Sequence, residues 1–288
     1  MYVYAPADLP AGAPLVVALH GSTQTVRDYE HAGWNEVADR EGFAVVYAET
    51  SRTNNAGGCF NWYLQGDTER DRGEALSIRQ MVDHTVAAFR SDRSRIYVTG
   101  LSAGGAMTAV MLAAYPDRFA GGGVIAGIPY HCATRPQEAM VCTGGANRKP
   151  EAWGDAVRSA LADRGVDPAD VPWPRVSIWH GTDDARVRTR ASEELVEQWT
   201  NLHGADLEPD DTTPPAGSTR RNHRYRAYHD ERDTPVVEYH IIEGMGHGTP
   251  VDPGSGRRQC GSTAPYMLDV DICSSYEIAR FWGIVREE

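Results

Sequence analysis

The chain has 288 residues, 41% of them hydrophobic, enough apolar content for a sizeable core in one large domain or two small ones. Asp and Glu outnumber Lys and Arg by 40 to 28, a net charge of −12 that argues against nucleic acid or an anionic membrane as partner. No apolar run approaches the ~20 residues of a membrane span. The acidic surface is read as solubility. Met1-Tyr2-Val3-Tyr4 is strand-like, with no leader-like segment before it, so the chain is either cytosolic or the trimmed product of a secretory precursor. Leu15-Val16-Val17-Ala18-Leu19 is a continuous apolar run, the pattern of a central strand covered on both faces. Residues 31–41 read as helix and Phe43 to Tyr47 as a second strand. Residues 50–72, rich in Asn, Gly, Arg and Asp, read as a long surface loop carrying Cys59, Phe60, Trp62 and Tyr63.

In residues 74–89, Ile78, Val82, Val86 and Phe89 keep helical spacing. Arg95 to Thr99 is a buried strand, Ala106 to Ala114 a helix, and Gly122 to Gly127 another strand. Residues 129–150 are irregular, 151–164 helical, Val176 to Trp179 a strand, and 190–203 helical. Residues 204–220 form a polar, Pro-rich excursion from the sheet. Tyr225 to Tyr228 and Val236 to Ile242 suggest a hairpin, and residues 275–285 a closing helix with Ile278, Phe281, Trp282 and Val285 inward. Strands alternating with helices predict an α/β fold, a mostly parallel central sheet with helices on both faces, in a single domain over residues 1–288.

Between the strand ending at Thr99 and the helix beginning near Ala106 lies Gly100-Leu101-Ser102-Ala103-Gly104. A serine between two glycines at a strand-to-helix junction is the nucleophile elbow of α/β-hydrolases, where a Cβ on either glycine would collide with the neighbouring chain. Such a serine needs a base, and the base an orienting acid, in the chain order Ser, Asp or Glu, His. Asp183 and Asp184 both follow the strand 176–179, with Asp184 preferred and Asp183 the alternative. His247, between glycines in the loop after the last strand, is the base; His223, His229 and His240 read as structural. The oxyanion donors are the backbone N–H groups of Ala103, after the nucleophile, and of Ser22, in the loop after the first long strand. Two close cysteine pairs in loops, Cys132 with Cys142 and Cys260 with Cys273, read as staples rather than a metal site, which favours an oxidising compartment. Cys59 is left over.

Four segments together carry a family resemblance: Leu19-His20-Gly21-Ser22-Thr23-Gln24-Thr25, Cys59-Phe60-Asn61-Trp62, Gly100 to Met107, and Gly246-His247-Gly248-Thr249-Pro250-Val251-Asp252. They resemble the catalytic domain of poly(3-hydroxybutyrate) depolymerases, the type whose oxyanion loop precedes the lipase box, over about residues 2–284. The resemblance implies a secreted serine esterase that cleaves this polyester or its oligomers with no cofactor; a monomer and no metal are also expected. Members of this family usually carry cysteine at the position of Ser22, paired with the one at Cys59. Here Cys59 is therefore expected to be free, with Cys132–Cys142 and Cys260–Cys273 bridged. Depolymerases of insoluble granules usually append a polymer-binding domain. Nothing similar follows Trp282, so a catalytic fragment or an enzyme for amorphous polymer and soluble oligomers is expected. Trp62 and Tyr130 are candidate substrate contacts, and Gln24 a candidate hydrogen-bond donor to substrate. The alternatives are a feruloyl or acetylxylan esterase of the same architecture, a peptidase, and a non-catalytic binding protein on the same scaffold.

Overall fold

The computed structural model describes residues 1–162, 166–215, 217 and 221–285. Its main sheet contains β1 (Tyr2–Tyr4), β2 (Leu15–Leu19), β3 (Ala44–Ala48), β4 (Ile96–Leu101), β5 (Gly121–Ile125), β6 (Arg175–Gly181), β7 (His223–His229) and β8 (Pro235–Ile242). Their spatial order is β1-β3-β2-β4-β5-β6-β8-β7. The six inner strands run parallel, while β1 and β7 close the two edges antiparallel to β3 and β8. The helices are α1 (Val26–Glu30), α2 (Trp34–Glu41), α3 (Gln65–Thr68), α4 (Gly73–Phe89), α5 (Ala103–Ala114), α6 (Ala139–Gly144), α7 (Pro150–Ala162), α8 (Thr189–His203) and α9 (Ser274–Phe281). Two short parallel strands, β9 (Thr249–Val251) and β10 (Met267–Asp269), pair beside the sheet.

Strand side chains alternate between faces, and here both faces are covered. Leu15, Val17 and Leu19 of β2 enter one apolar layer with Ala44, Val46, Val98, Val176 and Ile178. On that side lie α4, α5, α7 and α8, through residues such as Ile78, Met107, Trp153 and Trp199. Val16 and Ala18 point to the opposite layer, with Val45, Tyr47, Tyr97 and Trp179, covered by α2 and α9. A strand buried on both faces has no polar position to spare, which is why β2 reads as an unbroken apolar run. Trp282, just past α9, stacks on Tyr97 and on Trp34, with ring centroids 4.7 and 5.7 Å apart, and so ties the end of the chain to the sheet.

The helix expected over 31–41 begins only at Trp34, as α2, and a separate short helix, α1, precedes it. The chain breaks at Gly33, whose φ of +90° favours glycine, and a Cβ there would strike the backbone at Cys260–Gly261. The stretch 129–150 is less irregular than expected, since it contains α6. The helix expected over 151–164 is α7, with residues 163 and 164 outside the described residues; so are 216 and 218–220 of the polar excursion. The hairpin forms as expected; the closing helix runs only to Phe281, with Trp282 and Val285 beyond it, and Ile278, Phe281, Trp282 and Val285 are buried. β9 and β10 carried no sequence signal, being three residues each.

Candidate active site

β4 ends in the elbow. Ser102 sits at φ +57°, ψ −116°, a strained backbone for a residue with a side chain, at a cost of about 1–3 kcal/mol. Bonds on both sides hold it: its N–H donates to Ile125 O and its carbonyl accepts from Ala106 N, each at 2.8 Å. Cβ atoms on Gly100 and Gly104 would overlap backbone of the turn itself and of β2 at Leu19, so both glycines are required by close approach. α5, which begins at Ala103, is buried along its whole length, and its sequence is accordingly apolar on every face. The positive end of this helix dipole therefore lies at Ser102.

The loops after β6 and β8 supply the acid and the imidazole. His247 Nδ1 donates to Asp184 Oδ2 at 2.6 Å, which leaves Nε2 as the basic nitrogen of the ring. Asp184 is 2% exposed, and its other oxygen accepts the backbone N–H groups of Arg186 (2.8 Å) and Val187 (2.9 Å). Burial alone would push this carboxyl up. Hydrogen bonds from His180 and His247, the His247 charge and the Val187 N–H outweigh it and hold Asp184 well below the usual carboxylate range. Asp183 is exposed and accepts only from the Thr182 hydroxyl, at 3.1 Å. Of the two adjacent aspartates, Asp184 is the one bonded to the histidine. His180, buried beneath it, donates from Nε2 to Val187 O at 2.9 Å and so braces the turn that presents the acid.

Ser102 and His247 line one cleft of about 160 Å3, together with Gly21, Ser22, Thr23, Gln24, Leu101, Thr143, Arg186, Val187 and Tyr266. Three of the four N–H groups in Gly21–Gln24 are engaged: Gly21 with Gln24 Oε1, Thr23 with Gly58 O, and Gln24 with Gly21 O. That of Ser22 has no acceptor among the described residues. His20, buried below, donates from Nδ1 to Gly21 O (2.8 Å) and accepts the Thr50 N–H at Nε2 (3.3 Å). Burial keeps this imidazole below its ordinary pKa and so neutral.

Of the three expected substrate contacts, one is at the cleft and Trp62 and Tyr130 are not. Gln24 lines the cleft, but its amide oxygen holds the Gly21 N–H and its Nε2 is 3.4 Å from Pro265 O, so it shapes the Gly21–Gln24 loop. Trp62 packs in the core, edge-on to Tyr63 with ring centroids 5.3 Å apart, and does not line the cleft. Tyr130 is buried beside a separate groove with Gln65, Arg70 and His131. Thr143, Arg186 and Tyr266 form the cleft wall instead. Sequence reasoning missed all three, although Thr143 follows Cys142 and Tyr266 lies between Cys260 and Cys273.

Both expected disulfides are present, Cys132–Cys142 and Cys260–Cys273, and Cys59 is free. Its thiol lies against the Ser22 side chain, with burial pushing its pKa up. His240 and His223 are buried and stack in line with Trp179, away from the cleft. Among the described residues no helix is long and apolar enough to cross a membrane.

The chain is similar to known proteins. A family model described as "Esterase PHB depolymerase" matches residues 1–223. The chain is 49% identical over 286 residues to poly(3-hydroxyalkanoate) depolymerase C of Paucimonas lemoignei, covering 99% of this chain and 67% of that protein. It is 34% identical over 219 residues to feruloyl esterase B of Thermothelomyces thermophilus, covering 72% of this chain and 71% of the relative. The chain thus spans roughly two thirds of the length of the curated relatives it matches. A solved acetyl xylan esterase from Aspergillus awamori superposes with a TM-score of 0.78 at 24% identity, over 99% of this chain and 93% of that one, which establishes the α/β-hydrolase fold. The chain belongs to the esterase PHB depolymerase family and is a carboxylic ester hydrolase.

Proposed function

We propose that this chain is a secreted serine esterase that hydrolyses poly(3-hydroxybutyrate) or its hydroxyalkanoate oligomers through a covalent acyl-enzyme. One observation carries the assignment: the elbow serine and an imidazole bonded to a buried carboxylate line the same cleft. His247 Nε2 takes the Ser102 proton as Oγ attacks the ester carbonyl, and Asp184 stabilises the resulting imidazolium. The tetrahedral oxyanion is received by the N–H groups of Ala103 and Ser22, each worth roughly 3 kcal/mol in the transition state. On collapse the imidazolium returns its proton to the departing alcohol. Water then attacks the acyl-enzyme by the same route and releases the acid. No cofactor enters, and residues 1–288 act as one catalytic unit, as a monomer.

The polyester substrate is supported by the 49% identity with a depolymerase across nearly the whole chain. Secretion is supported by the two disulfides, which persist in oxidising compartments. Release of ferulate or acetate from plant polysaccharide is the second reading, favoured by the feruloyl esterase likeness at 34% identity. Clearing of a polyhydroxybutyrate emulsion, set against ferulate release from a feruloyl ester, separates the two. For the mechanism, a fluorophosphonate probe is expected to label the wild type and not Ser102→Ala, with esterase activity falling at least ~10³-fold. A Ser102→Ala variant that still turns over a p-nitrophenyl ester at the wild-type rate would remove Ser102 as nucleophile.

A further inference from the structure

The acyl-transfer chemistry uses no side-chain cation beyond the transient imidazolium, yet an arginine stands in the cleft. Arg186 Nη2 donates to the Tyr266 hydroxyl at 3.0 Å, and the guanidinium lies 5.3 Å from the centroid of the same ring. Several arginines elsewhere meet acid: Arg70, Arg190, Arg258 and Arg280 each approach a carboxylate to 3.0 Å or less, while Arg40, Arg148 and Arg175 hold backbone carbonyls. Arg186 forms no ion pair among the described residues, in a chain with 40 acidic side chains against 28 basic ones. Asp184, two residues away, is already committed to His247 and to the N–H groups of Arg186 and Val187. Exposed arginines without partners are common. This one is distinguished by being fixed against an aromatic ring in the wall of the cleft that holds Ser102.

A guanidinium has five donors in a planar fork that fits a carboxylate through two parallel hydrogen bonds, and Tyr266 occupies only one arm. A hydroxyalkanoate oligomer has a hydroxyl at one end and a carboxylate at the other. At about 160 Å3 the cleft is small beside the ~300–1,000 Å3 of typical ligand sites, so it suits a short chain end better than a long stretch of polymer. We propose that Arg186, positioned by Tyr266, is the subsite for the terminal carboxylate of a hydroxyalkanoate oligomer and directs cleavage to the ester nearest that end. This rests on the polyester reading above. In that cleavage Ser102 Oγ bonds to the last ester carbonyl and the C–O bond to the terminal unit breaks. The terminal unit leaves as a hydroxy acid, its alkoxide protonated by the His247 imidazolium, and water later frees the acyl group. A feruloyl or acetyl ester has no free carboxylate and gains nothing from Arg186.

The test compares hydroxybutyrate trimer as the free acid with its methyl ester, which lacks the charge at the acid end; methanol release from the added ester is measured separately and left out of kcat/KM. The wild type is expected to show the higher kcat/KM on the acid, mainly through KM, and to lose that advantage as salt screens the pair. In Arg186→Gln the acid-to-ester ratio of kcat/KM should fall at least tenfold. Arg186→Lys should retain part of it, and Arg186→Glu should invert it. The methyl-ester rate of each variant reports on its folding and triad, so a merely structural role would lower both substrates together and leave the ratio unmoved. Equal kcat/KM on the two trimers in wild type, or one ratio shared by wild type and Arg186→Gln, overturns the subsite while leaving the polyester reading in place. A wild type that hydrolyses neither trimer but releases ferulate overturns the polyester reading and the subsite with it.

Discussion

Two neighbouring aspartates show what decides a side chain's fate in this molecule. Asp183 and Asp184 have the same chemistry and share a turn, but one faces solvent and the other lies beneath His247, with every oxygen engaged. Ser22 and Cys59 form a second instructive pair. The Thr23 N–H donates to Gly58 O at 3.1 Å, which brings the two loops together and sets the Ser22 hydroxyl beside the thiol. Ser22→Cys should therefore close a third disulfide with Cys59, stabilising the fold by about 2–4 kcal/mol without loss of activity, because the proposed oxyanion donor is a backbone N–H. Thermal melts with and without reductant, together with a count of titratable thiols, check this. Two reactive thiols in the oxidised variant would show that the side chains do not meet.

At the scale of elements, Ser102, Asp184 and His247 hang on the carboxyl ends of β4, β6 and β8, and close packing of α5 against β2 fixes the elbow. Gly104→Ala places a methyl group against the Leu19 and His20 carbonyls, backbone that cannot swing aside. Loss of soluble expression, or at least a hundredfold loss of activity, is expected; a variant with normal kcat and melting temperature would show that the turn has slack. The loop 50–72 hangs on Glu74, which accepts from the Asn61 N–H, the Asn54 amide and the Thr50 hydroxyl. Burial raises this carboxyl to about 7 despite those bonds. A folded pKa above the unfolded one means that its contribution is complete below about pH 4.5 and is lost as pH rises through 7. The stability change between pH 5.5 and pH 8.5 should therefore be smaller in Glu74→Gln than in wild type by on the order of 2 kcal/mol, read from denaturant melts. Equal changes in both proteins would exclude Glu74 as the source.

The places of Ser102, Asp184 and His247 were legible in the sequence because each lies within a few residues of a strand end, so local pattern fixes its place in space. Glycine spacing around Ser102 added a steric requirement that few other residues meet. The walls of the cleft were not legible. Arg186, Thr143 and Tyr266 reach it through turns whose direction depends on packing and cross-links, and nothing periodic marks them. Trp62 and Tyr130 show the converse: aromatic residues near the motifs in sequence are claimed by the core and by a neighbouring groove.

In the molecule as a whole, two apolar layers hold the sheet, and the disulfides act at its rim. Cys132–Cys142 spans 10 residues and Cys260–Cys273 spans 13, so each is worth roughly 3 kcal/mol through its closed loop. Thr143 is fixed to the chain beyond Asp184 by Arg188 N–H at 2.8 Å, and Tyr266 stands 6.1 Å from the His247 ring. Gentle reduction should thus raise KM and lower kcat/KM severalfold before far-UV circular dichroism changes. Simultaneous loss of both signals would place the bridges in the global fold instead.

The segment tied off by Cys260–Cys273 behaves as a cassette. It enters and leaves the scaffold at a fixed pair of sulfur atoms and carries Tyr266 into the cleft wall, while Ser102, His247 and Asp184 are rooted elsewhere. Exchanging the residues between the same two cysteines would then retune which ester is accepted without disturbing how it is broken, so one hydrolytic engine could be refitted from a polyester to a decorated polysaccharide by altering its trim.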